Sequence, residues 1–116
     1  MFTDQIDTQK GIRHMAGKEA IYIKIVNSFL KQEGAKVEEL NAYFAAEDFD
    51  RLTIEFHGLK SSAASLGSTA LPTLAHELEM AGKAKNNEII REKYAAFIEQ
   101  YRDTCGALAA VIAAMQ

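Results

Sequence analysis

The chain has one cysteine and one proline in 116 residues. With Cys105 alone there is no partner for an intrachain disulfide, which suits a reducing compartment. Pro72 is the single proline and glycine is sparse, so nothing reads as a linker, a repeat or a low-complexity tract. That predicts one compact domain over residues 1–116. No apolar run approaches the ~20 residues of a membrane span. The opening stretch, MFTDQIDTQK, has neither the basic nor the apolar region of a signal peptide. The expectation is a cytoplasmic protein. The formal charge of −3 argues against nucleic acid as the main partner, because phosphate backbones select basic surfaces.

Hydrophobic residues are abundant, at 48%, which is enough for a core and too many for disorder. Their spacing is helical almost throughout. Phe49, Leu52, Phe56, Leu59, Ala63 and Leu66 recur every three or four residues and form one helical stripe. Asp48 or Asp50 can cap that helix and Gly67 can end it. Ser68 or Thr69 then caps a second helix that has Pro72 in its first turn and Leu71, Leu74, Ala75 and Leu78 on its buried face. This helix is expected to weaken at Gly82. From Asn86 or Asn87, a stripe through Ile90, Tyr94, Phe97, Ile98, Tyr101, Cys105, Leu108, Ile112 and Met115 predicts a final helix of roughly 40 Å.

Upstream, Ile21, Ile23 and Ile25 alternate as in a strand, but no second strand is there to pair with them. Tyr22, Ile25, Val26, Phe29 and Leu30 give a helix that should end near Gly34. Val37, Leu40, Tyr43 and Phe44 give a shorter one after it. Residues 4–14 add a short N-terminal helix. Short connections imply antiparallel neighbours, so the fold class is all-α: an antiparallel up-and-down four-helix bundle with an additional N-terminal helix.

The stretch EFHGLKSSAASLGS, residues 55–68, carries the chemistry. His57 follows Phe56 and so sits about 100° round from the apolar stripe. Thr53, Ile54, Lys60 and Ser61 are its helical neighbours. Neutral imidazole is a nucleophile at physiological pH, since the free side chain titrates near ~6.5. A phosphoryl group placed on it would need cations and hydroxyls nearby, which Lys60 and Ser61 supply. Gly58, Ser61, Ala64 and Ser65 leave room for a large partner. No carboxylate lies at i±3 or i±4 to hold the ring as a triad acid does. No glycine loop is present to cradle ATP phosphates. The pattern is that of a residue acted upon by another protein.

HGLKSSAASLGS resembles the signature of histidine phosphotransfer domains. That signature runs histidine, any residue, leucine, lysine, glycine, several small residues, an aliphatic residue, glycine and a small residue. His57, Leu59, Lys60, Ser62, Ala63, Leu66, Gly67 and Ser68 match it. LPTLAHELE resembles the family's next helix, with Leu71, Leu74, Leu78 and Glu79 in place. Ser61 stands where the family usually has glycine, which is expected to narrow the range of partners accepted.

The resemblance implies a phosphoryl carrier in a two-component phosphorelay, without ATP-dependent kinase activity of its own. His57 would be the phosphorylated residue and Lys60 would stabilise the phosphoryl group. Ile54, Gly58, Ser61, Ala64 and Ser65 would dock the partner. The implied partners are receiver domains and a hybrid sensor histidine kinase. No cofactor is implied for this chain, Mg²⁺ being expected on the receiver, and the chain is expected to be monomeric. A second reading from another class is a helical adaptor that docks such partners without being phosphorylated; it would have no need of His57 together with Lys60. Outside this stretch, His76 reads as a polar flank, His14 as a loop residue and Cys105 as core packing. The three histidines have no metal-ligand spacing.

Overall fold

The computed structural model describes residues 2–116. Among the described residues six helices follow one another: α1 (Thr8–His14), α2 (Glu19–Lys31), α3 (Glu33–Ala45), α4 (Phe49–Ser65), α5 (Ala70–Lys83) and α6 (Asn87–Met115). Among the described residues there is no strand, so the alternation at Ile21, Ile23 and Ile25 belongs to a helix. In α2, Tyr22 and Val26 are fully buried while Ile21 and Ile25 face outward.

The helix expected to end near Gly34 ends slightly earlier, at Lys31, and without a wide turn. Gln32 alone separates α2 from α3, and its backbone stays in the right-handed helical region, while Gly34 lies inside α3. An exposed glycine weakens a helix but does not stop one when the flanking stripe is buried. The two helices therefore join end to end, not as an antiparallel hairpin. Together they form one arm of a bundle whose other members are α4, α5 and α6. At 29 residues, α6 runs the length of the 42 Å long axis.

The stripe read along α4 is the core stripe. Leu52, Phe56 and Ala63 are fully buried, and the Phe56 ring meets Phe97 of α6 edge-on at 4.9 Å. Asp48 caps the helix by accepting from the Arg51 N–H. Gly67 ends it at φ +94°, where the N–H groups of Gly67 and Ser68 close onto Ala64 and Ala63.

One expectation changes at α5. Its start has no side-chain cap of its own from Ser68 or Thr69. Instead the buried carboxylate of Asp4 accepts from the backbone N–H of Thr69 and Ala70 and from the hydroxyls of Ser68, Thr69 and Thr104. Asp103 in turn accepts from the N–H of Thr3 and Asp4. Residues 4–7 are outside any helix and clasp the bundle, and α1 is shorter than expected. The helix ends at Lys83, just past the expected weak point at Gly82. A Cβ there would lie 1.9 Å from the Thr53 hydroxyl, so the missing side chain lets α5 press against α4.

Candidate functional site

The Thr53–Gly82 contact sets the spacing of the two helices that build the site. Thr53 is one turn before His57 on α4, and Gly82 is three residues after Glu79 on α5. The Nδ1 of His57 lies 2.8 Å from Oε2 of Glu79. A carboxylate only accepts, so Nδ1 carries the proton and donates. In neutral imidazole that leaves the lone pair on Nε2. The His57 side chain is 61% exposed and that of Glu79 only 2%. One end of the ring is thus anchored in the bundle, and the ring itself is open to an incoming group.

Glu79 holds two lysines as well. Lys60 Nζ donates to Oε1 at 2.5 Å, and Lys83 Nζ lies 3.1 Å from Oε2. The Lys60 ammonium is the main cause that brings the Glu79 carboxyl down to about 2; burial opposes it, and Lys83 and His57 add to it. Glu79 is therefore ionised at any physiological pH, and its fixed negative charge holds the Nδ1–H of His57 in place. The arrangement has the form of a carboxylate orienting a histidine, with Nε2 as the free nucleophile.

Beside the ring is an open hollow of about 320 Å³ lined by Thr53, Ile54, His57, Glu79 and Lys83. Ile54 is 69% exposed, more than any other large apolar side chain among the described residues. Gly58 and Ser61 are exposed, and Ala64 and Ser65 are half-buried. The expected site residues thus share the outer face of α4, and nothing bulkier than serine flanks His57 from Gly58 to Ser65 except Lys60 and the buried Leu59. The structure engages Lys60 with Glu79.

No ring partner stands at i±3 or i±4 of His57, because the partner, Glu79, comes from the neighbouring helix. The signal was a carboxylate set against the core stripe, next to Leu78 and one turn beyond Ala75. His76 is exposed. His14 is the last residue of α1, not a loop residue, and donates from Nδ1 to the Ser65 carbonyl at the end of α4. Cys105 is buried, and burial pushes its thiol up to about 12. It is packing, not a reactive thiol. Among the described residues, no three His, Cys, Asp or Glu side chains gather to hold a metal ion.

Compared with known families, residues 24–115 match the model of the Hpt domain. Neither a curated protein nor a solved structure matches the chain.

Proposed function

The chain belongs to the Hpt domain family, the histidine phosphotransfer modules of two-component phosphorelays, and from that premise we propose that His57 is the residue that carries the phosphoryl group. The observation behind this is the 2.8 Å hydrogen bond from His57 Nδ1 to the buried Glu79. It fixes the tautomer in which Nε2 is nucleophilic, on a ring that stands open to solvent.

In the forward step the Nε2 lone pair attacks the phosphorus of an aspartyl phosphate on a receiver domain. The P–N bond forms as the P–O bond breaks, and the electron pair leaves with the aspartate carboxylate. The return step is the reverse, onto the aspartate of a second receiver. Nδ1 keeps its proton throughout, so Glu79 needs no change of charge. The ring departs as neutral imidazole with its Nδ1–H already bound. Lys60 keeps the charge of Glu79 compensated and adds positive potential beside the ring.

The small residues on α4 give a receiver room to bring its own acidic pocket and Mg²⁺ up to Nε2. Ile54, Gly58, Ser61, Ala64 and Ser65 form the docking face, with Ile54 as its apolar anchor. Receiver domains and a hybrid sensor kinase are the partners. The segment clasped by Asp4 packs onto the bundle, and residues 1–116 act as one domain.

The test is to mix the chain with an aspartyl-phosphorylated receiver and Mg²⁺ and assay phosphate on the chain. Phosphate that is lost in acid and survives base supports this reading. Binding of the receiver without any phosphate on the chain would overturn it in favour of an adaptor.

A further inference from the structure

The two lysines on Glu79 are not equivalent. Lys60 holds Oε1 at 2.5 Å, and its side chain is 25% exposed. Lys83 stands 3.1 Å from Oε2 and is 59% exposed. Oε2 is also the oxygen that accepts from His57 Nδ1. Lys83 lines the hollow beside the ring, together with His57 and Ile54, and Lys60 does not.

The local charges make one of these cations surplus. Glu79 contributes −1, and Lys60 and Lys83 contribute +1 each, so with a neutral ring the cluster carries +1. Lys60 is enough to compensate Glu79. If Lys60 left, a buried carboxylate would lose its closest counterion, which is costly. If Lys83 left, Oε1 would keep Lys60 and Oε2 would keep the Nδ1–H of His57. Lys83 can therefore move without leaving a buried acceptor unpaired. Its ammonium sits on a flexible four-carbon stem at the edge of the hollow.

We infer that Lys83 is the cation that transfers from Glu79 to the phosphoryl group on His57, while Lys60 stays behind as the fixed counterion of Glu79. The inference rests on the reading that His57 is phosphorylated. The arriving group carries close to two negative charges and three acceptor oxygens. Lys83 then exchanges one carboxylate contact for a phosphoryl contact, and no proton changes place. Lys83 is in this way a positioning residue in the empty site and a ligand of the phosphoryl group in the loaded one.

The experiment uses the full chain with an aspartyl-phosphorylated receiver and Mg²⁺. It reads the equilibrium ratio of phosphohistidine to aspartyl phosphate in the parent, Lys83→Gln, Lys83→Arg and Lys60→Gln proteins. Lys83→Gln is expected to lower the ratio about tenfold, the effect of one charge-assisted hydrogen bond, without changing the melting temperature. Lys83→Arg should restore the ratio. The Lys83 side-chain ¹⁵N resonance should shift when the parent is loaded. Lys60→Gln should instead lower the melting temperature, because Glu79 loses its closest cation. A parent-like ratio in Lys83→Gln, or a loss confined to Lys60→Gln, would overturn the inference and leave the phosphorelay reading intact. A parent chain that takes no phosphoryl group at all would overturn both.

Discussion

His57 and Glu79 are 22 residues apart in the sequence, and their side chains meet at 2.8 Å. The contact joins a ring that is mostly exposed to a carboxylate that is almost wholly buried. The carboxylate is ionised because lysines surround it, and the ring is oriented because the carboxylate is ionised.

His57→Gln removes the proposed nucleophile from an exposed position, and Glu79 keeps both lysines. Stability should stay within about ±0.5 kcal/mol of the parent, and phosphoryl acceptance should be abolished. Thermal melting and a transfer assay check the two halves. A collapse in melting temperature would mean that His57 supports the core.

Glu79→Gln should reveal the carboxylate through pH. The folded-state carboxyl titrates at about 2, below its ordinary value of 4.5. A depressed pKa contributes stability that is complete above the ordinary value and is lost as the pH falls through the folded one. The parent should therefore lose its advantage over Glu79→Gln between about pH 5 and pH 2. Urea unfolding across that range measures it. A constant difference between the two proteins would show that the charge of Glu79 does not support the fold.

Gly82→Ala tests the contact that sets the spacing of α4 and α5. In an open helix the change stabilises by about 1 kcal/mol. Here the new Cβ would meet the Thr53 hydroxyl at 1.9 Å, so the sign should reverse, with a loss of about 1–3 kcal/mol. Thr53→Ala in the same protein should recover part of it. A stabilised Gly82→Ala protein would show that the helices yield freely there.

How much of this was legible in the sequence differs from place to place. The stripe from Phe49 to Leu66 was readable because a buried helical face repeats every three or four residues, and so was the stripe of α6. His57 was readable because it stands just off such a stripe among small residues. The Glu79 contact was not, because spacing along one helix says nothing about which residues a neighbouring helix brings across. The end of α5 just past Gly82 was readable, but the close approach of Gly82 to Thr53 was not, for the same reason. The clasp by Asp4 was hidden because its carboxylate caps a helix 65 residues further along the chain, where local rules look only to Ser68 and Thr69.

Asp4→Ala tests the clasp. The carboxylate accepts from five groups, and although burial alone would push its pKa up, the N–H of Ala70 and the hydroxyls of Ser68 and Thr104, with the N–H of Thr69, hold it below the ordinary value. Removal leaves buried donors without an acceptor and should cost about 2–4 kcal/mol. Phosphoryl acceptance measured well below the melting temperature should persist, because the clasp touches neither His57 nor Glu79. Unchanged melting would mean that water replaces the carboxylate without loss.

Ala64→Trp places bulk about two helical turns from His57, on a half-buried position of the proposed docking face. Receiver affinity should fall at least tenfold, about 1.4 kcal/mol, as read by titration calorimetry. Unaltered affinity would put the docking face elsewhere.

The most direct measurement is the ¹⁵N spectrum of the histidine rings in the free protein and after loading from a phosphorylated receiver. The account predicts a free His57 protonated at Nδ1. After loading it predicts phosphorus coupling at Nε2 of the same ring, with the Nδ1 proton still present. Phosphorus on Nδ1, on His76, or on no histidine would contradict it.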